Sequence, residues 1–197
     1  MTKTKLLLLI AVTMLFSGCA LTNYKIEKPY EPISQKFNDI EKYSVSTKVN
    51  FQPVFTNDSL AVGIKKGGSG QETARIYLSE NVDEWVKKGF DKELKIAGFN
   101  VENSQNNIKI TLDIKQLFVE PWVGFNYASL IGISKIEAKV EFPQKDSFYV
   151  RRFVTYNTAA RMIWTDSMYE ARFMGVIQKS LCEIVKEIRL LLLEKNK

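Results

Sequence analysis

NIKITLDIKQLFV, residues 107–119, places Ile108, Ile110, Leu112 and Ile114 on one side of an extended chain. Lys109, Thr111, Asp113 and Lys115 fall on the other. Side chains alternate across a strand with a period of two, so this pattern predicts a strand with one face buried and one in water. SKIEAKVEF, residues 134–142, repeats the device: Ile136, Ala138, Val140 and Phe142 point inward, and Lys135, Glu137, Lys139 and Glu141 outward. The turn PQKDS then leads into FYVRRFVTYNTAAR, residues 148–161, a third strand. Strands with one solvated face belong to an antiparallel sheet whose other face must be covered.

The cover is predicted on both sides of this meander. After it, Met174, Ile177, Leu181, Ile184, Ile188 and Leu191 recur at three- and four-residue steps, a single apolar stripe on a helix from Thr165 or Ser167 to Glu194. Before it, Val82, Val86, Phe90 and Leu94 form a second stripe, with Asn81 and Glu84 spaced as a capping pair and Gly98 placed to end the helix. Earlier still, YSVSTKVNF from Tyr43, SLAVGIKK and ARIYL read as strands, the first ended or confined to an edge by Pro53. The expectation is an α+β fold: a two-layer sandwich, a mainly antiparallel sheet of four to six strands packed against two helices, the second one long. Residues 43–197 form the single domain.

The N-terminal part is of another kind. Lys3 and Lys5 precede an apolar run, Leu6 to Phe16, relieved only by Thr13. Eleven residues are too few to cross a bilayer core, which takes about 20. They suit the apolar core of a secretory signal, followed by the small residues Ser17 and Gly18 and then Cys19. The expected cut lies between Gly18 and Cys19, making residues 1–18 a signal peptide. Residues 19–42 contain Pro29 and Pro32 and show no sustained apolar period. They read as a tether, or else as a segment laid against the domain through Tyr24, Tyr30, Ile33 and Phe37.

Composition narrows the function. Lys3 and Lys5 are the only charges before Cys19, so the formal net charge of +6 falls to about +4 once the signal is removed. That is too mild for a nucleic-acid footprint. The sequence has no histidine, so the commonest general base and the commonest metal ligand are both missing, and neither a metal nor a cofactor is expected. Cys182 is the one other cysteine and reads as a small core residue. KKGGSGQ, residues 65–71, has its lysines before the glycines and a strand after them, so it is a hairpin rather than a phosphate loop. Asp113, Glu120, Glu137 and Glu141 alternate with lysines and suit a solvated face better than a carboxylate pair. Arg151 and Arg152 point to opposite faces, and with Arg161 they form a basic cluster. No catalytic residue is identified.

One stretch stands apart. FVEPWVGFNYASLIGISK, residues 118–135, carries Trp122, Phe125 and Tyr127 among Pro121, Gly124 and Gly132. These aromatics either cap the open end of the core or form a candidate partner surface.

Around Cys19 the sequence resembles the bacterial lipobox, in which the cysteine thiol takes a diacyl group. Phe16 stands where that pattern has Leu. Together with ELKIAGFNV, NIKITLDIKQLFVE and FVTYNTAARM, this resembles the YajG-like family of bacterial lipoproteins. The resemblance implies an anchor at Cys19, attachment to the membrane through lipid, and an envelope protein partner not yet identified. Ala20, where retained lipoproteins often have Asp, implies the periplasmic face of the outer membrane. It implies no catalytic residue and no established activity. The readings in competition are a non-catalytic accessory or adaptor of an envelope assembly or transport process, a binding module for a small amphiphile or lipid in a groove between sheet and helices, and a carboxylate-dependent glycan hydrolase.

Overall fold

The computed structural model describes residues 21–55, 57–101, 108–124, 128–143, 147–160 and 164–194. Three long strands make its frame: β6 (Ile108–Val123), β7 (Ala128–Phe142) and β8 (Ser147–Ala160). They pair antiparallel, with Leu112 opposite Ala138 and Ala138 opposite Arg151. Ile110, Leu112 and Ile114 are buried, as their alternation demands. The pairing register then shifts between Ile114 and Gln116, leaving Lys115 as the extra residue of a bulge. Beyond it Leu117 and Val119 are fully buried, with Phe118 between them buried as well. The bulge resets the phase by one residue and keeps the apolar row on the core side.

The same bulge is where the other edge of β6 changes partner. β2 (Ser44–Phe51) runs parallel to it from Val45 opposite Ile108 to Phe51 opposite Ile114. Pro53 follows, and with no N–H to give it cannot continue the ladder. β3 (Ala61–Lys66) takes over, parallel, with Gly63 opposite Val119. β4 (Glu72–Leu78) returns antiparallel to β3, and β1 (Tyr24–Ile26) lies parallel to β4 at the edge. β5 (Asn100–Val101) adds two residues beside β2. The result is one mixed sheet of eight strands. It corrects the expected four to six, mainly antiparallel strands. The meander is antiparallel as expected, but β2 and β3 reach β6 by crossovers, and a strand delivered that way runs parallel.

Both helices cover one face. α1 (Val82–Ala97) buries Val82, Trp85, Val86, Phe90, Leu94 and Ala97. Gly98 ends it with φ of 109°, and its N–H reaches the carbonyls of Leu94 and Lys95. The expected side-chain cap at Asn81 is not made; only its backbone carbonyl receives the N–H of Trp85. α2 (Asp166–Glu194) lies over β6–β8 and buries Phe173, Ile177, Leu181, Ile184 and Ile188, with Cys182 also buried. Trp85 and Phe173, 5.7 Å apart, join the two helices.

Residues 24–42 are not a tether over their length. Ile26, Tyr30 and Ile40 are buried in the same core as the helices, and Phe37 packs against it. Of the two expectations for this segment, the structure has the one laid on the domain. Burying two Ile and a Tyr stabilises by several kcal/mol at about 1.5–3 kcal/mol per large side chain, more than an exposed tether of that composition can offer.

Leu181 is fully buried and Leu190 half exposed on the same helix. Leu181→Ala is expected to lower unfolding free energy by about 2–5 kcal/mol in a denaturant titration, and Leu190→Ala by about 0.5 kcal/mol or less. Equal effects would mean that α2 presents another face to the sheet.

Candidate functional site

The residues with chemistry beyond packing gather where the N-terminal segment meets the domain. Glu93, on the buried side of α1, has no solvent exposure. Its carboxylate accepts the Tyr30 hydroxyl at 2.5 Å, the Ile33 N–H at 2.9 Å and the Ser34 N–H at 2.7 Å. A buried carboxylate is stable only when hydrogen bonds replace the water it has lost. All three of these donors come from one segment, so Glu93 works as a clasp. Burial and the Glu93 contact both push the Tyr30 phenol well above its ordinary value, keeping it a donor.

Gly89 completes the clasp. It stands one turn before Glu93, and a Cβ there would come within 2.6 Å of the Tyr30 ring. Glycine inside a helix costs about 0.5–1 kcal/mol relative to alanine. Here it lets the ring lie on the helix, edge to face with Trp85 at 5.5 Å. Further along, Gln178 donates to the Glu31 carbonyl at 2.7 Å, and Arg189 pairs with Asp39 at 2.9 Å and covers the Phe37 ring.

The start of the segment is held as well. Lys65, buried on β3, donates to the Thr22 carbonyl at 2.8 Å and pairs with Asp166 at the head of α2 at 2.5 Å. The Arg75 N–H donates to the Asn23 side chain at 2.9 Å. Tyr24 donates its hydroxyl to Glu170 at 2.7 Å, and burial first, then that carboxylate, pushes its pKa up to about 12. Neither Glu93 nor Lys65 stands out in the sequence. DKELK reads as an ordinary helix surface and IKK as a strand end.

The carboxylates weighed for acid–base work each have another partner. Asp113 receives the Asn50 amide at 2.7 Å, Glu120 pairs with Lys66 at 2.6 Å, Glu137 with Arg152 at 2.8 Å and Glu141 with Lys139 at 2.7 Å. Arg151, on the opposite side of β8 from Arg152, pairs with Glu187 of α2. Arg161 lies outside the described residues. KKGGSGQ forms the β3–β4 hairpin, closed by the Gly67 N–H on the Gln71 carbonyl at 3.0 Å.

Trp122 is 59 % exposed near the end of β6, so it does not cap the core. Phe125 and Tyr127 lie outside the described residues, as do Gly18 and Cys19. One apolar surface escaped the sequence reading. Among the described residues β8 pairs only with β7, and its outward row shows Phe148 67 %, Val154 63 % and Tyr156 71 % exposed. The signal was present in FYVRRFVTY, which is apolar at alternate positions in both phases, on the last strand of the meander.

Between sheet and α2, a cavity of about 10 Å³ is lined by Ala138, Val140, Phe153, Ile184 and Ile188 among others. That is room for about one water, not for an acyl chain. Among the described residues there is no cluster of potential metal ligands, and no helix is long and apolar enough to cross a membrane.

Removing the clasp is expected to free the segment before the domain melts. In Glu93→Ala, amide exchange at Ile33 and Ser34 should rise at least tenfold, and stability should fall by about 2–5 kcal/mol as three donors lose their acceptor. Unchanged exchange at those two amides would show that the segment is held by apolar contacts alone.

Comparison with known proteins agrees with this architecture. No curated protein matches the chain. A protein of the DUF330 family from Xanthomonas campestris has a similar fold, with 11% identity and a TM-score of 0.62 over 88% of this chain and 98% of that one. A minor lipoprotein from Acinetobacter baumannii aligns over 74% of this chain and 91% of its own, at 11% identity and a TM-score of 0.44. The family model described as uncharacterized lipoprotein (Lipoprotein_16) matches residues 59–188, from the strand β3 to the last turns of α2. Membership implies a lipid-anchored place in the cell envelope, and on that match the chain belongs to this family of YajG-like lipoproteins.

Proposed function

We propose that the protein is a non-catalytic accessory of an envelope assembly or transport process, anchored through lipid on Cys19 at the periplasmic face of the outer membrane. It engages an envelope protein through the outer row of β8. The observation that carries this reading is the contrast across one sheet face. On β7 the outward row is Lys135, Glu137, Lys139 and Glu141, all charged, with Lys139 paired to Glu141 along the strand and Glu137 to Arg152 of β8. On β8, beside it, the outward row is Phe148, Val150, Arg152, Val154 and Tyr156, the arginine paired with Glu137 and the other four exposed, on a strand with no second partner strand among the described residues. Exposed edges are ordinarily blunted by charge or proline; here a single charge stands among four apolar or aromatic side chains, which leaves backbone and apolar contacts open to another chain. The acids are spent in ion pairs, which favours the accessory role over glycan hydrolysis.

The anchor and the partner face are tested together in intact cells. A photo-crosslinking residue in place of Tyr156 is expected to give a discrete adduct with another envelope protein, and one in place of Glu84, exposed on α1, none. Cys19→Ser removes the thiol that accepts the diacyl group and should abolish the adduct by leaving an uncut precursor. An adduct of twice the chain's mass would make β8 a self-association strand instead. Equal adducts from Tyr156 and Glu84 would remove the case for β8.

A further inference from the structure

The way the N-terminal segment is fastened has a consequence for how the domain meets its membrane. The Thr22 carbonyl is held by Lys65 and the Asn23 side chain by the Arg75 N–H. Only Ala20 and Leu21 therefore separate Cys19 from residues fixed on the sheet. Fully extended, the three steps from Thr22 back to Cys19 span at most about 11 Å. An anchor at Cys19 leaves the domain no freedom to stand away from the lipid.

The strand registers say which end is brought down. β1 is parallel to β4, with Tyr24 opposite Ile76, so the chain before Tyr24 runs back along β4 towards Glu72 and the 67–71 hairpin. β3 enters that hairpin parallel to β6, with Gly63 opposite Val119 and Lys66 paired to Glu120. That sets Trp122, and the Val123–Ala128 pair that closes the β6–β7 connection, at the same end. The end of β8 is there too, with Ala160 opposite Ser129.

Two segments at this end are uncharged in sequence. Residues 67–71 carry no charged side chain, and neither do residues 121–134, PWVGFNYASLIGIS. Leu21, before β1, is 62 % exposed, and Trp122, on β6, is exposed as well. Uncharged tips lose little on entering a headgroup layer, and an indole, apolar with one N–H to give, partitions to the membrane–water interface.

We infer that this end of the sheet is a membrane-docking surface, resting on the bilayer that carries the Cys19 lipid, with Trp122 seated among the headgroups. The inference rests on the lipid-anchor reading above, and it gives the aromatic connection a lipid partner rather than a protein one. The strands then point away from the membrane, and the β8 row runs outward from it.

The test uses the full-length protein purified from membranes, its acylation read by intact mass. It is reconstituted into phosphatidylcholine vesicles, plain or brominated at shallow acyl positions. Trp85 is buried and Trp164 packs against the core, so Trp122 is the indole open to lipid. The wild type is expected to lose about a third of its tryptophan emission in brominated vesicles. Trp122→Phe should lose at most a tenth. If the mass shows no acyl chains, the anchor reading fails and this inference with it. If the protein is acylated and its emission is equal in the two vesicles, only the docking surface is overturned. A Trp122 emission shift in native envelopes but not in pure lipid would assign the end to a protein and overturn it equally.

Discussion

The placing of everything N-terminal to β2 depends on two buried charges. Glu93 offers a carboxylate that only Tyr30, Ile33 and Ser34 satisfy, and Lys65 offers an ammonium satisfied by Thr22 and Asp166. A charge sealed from water without partners costs far more than the several kcal/mol by which a domain is stable. Without the segment Glu93 loses all three of these donors and Lys65 loses the Thr22 carbonyl, keeping Asp166. The coupling also works in reverse. The segment has no regular structure beyond the three residues of β1, and the clasp acts together with the burial of Ile26, Tyr30 and Ile40.

The sheet provides the rigid body for that clasp. β6 is sixteen residues long and serves two partners on one edge, β2 before its bulge and β3 after it. The arrangement carries the β3–β4 hairpin and the end of β6 to the same end of the molecule. It also leaves β8 as the free edge opposite. Anchor, aromatic end and apolar strip are thus three features of one framework. Along β8, from Ala160 to Phe148, the strip runs away from the anchored end for about 40 Å at about 3.3 Å per residue. With the lipid anchor proposed above, a partner lying along it would reach outward from the membrane.

Much of this framework is legible in the sequence, for a physical reason. A half-buried strand or helix must repeat its apolar residues at the period of its backbone. α1 and α2 accordingly fall within a few residues of where their periods place them, while β6 and β7 run on past their charged stretches to Val123 and from Ala128, through what reads as a connection. What is not legible lacks a period. β1 and β5 are three and two residues long, too short to alternate. Ile26, Tyr30 and Ile40 are anchors at irregular spacing, separated by two prolines, and each meets a residue far away in sequence. Glu93 and Lys65 look like surface charges because burial is decided by what covers them, and the cover comes from elsewhere in the chain. Gly98 was legible as a helix end, whereas Gly89 reads as a defect until the Tyr30 ring is seen lying on it. The exposed row of β8 was spelled out in FYVRRFVTY, but apolar residues in both phases look like core until the strand is known to be an edge.

The central claim is that the N-terminal segment belongs to the domain, so that a few residues only join the lipid to the folded protein. Neutron reflectometry of the acylated protein on a supported bilayer measures this as the thickness of water between headgroups and protein. The account requires a protein layer in contact with the headgroups, with no water layer thicker than about 10 Å, the reach of three extended residues. A water-filled layer of tens of ångströms, the span of a free 20-residue linker at about 3.1 Å per residue, would contradict it.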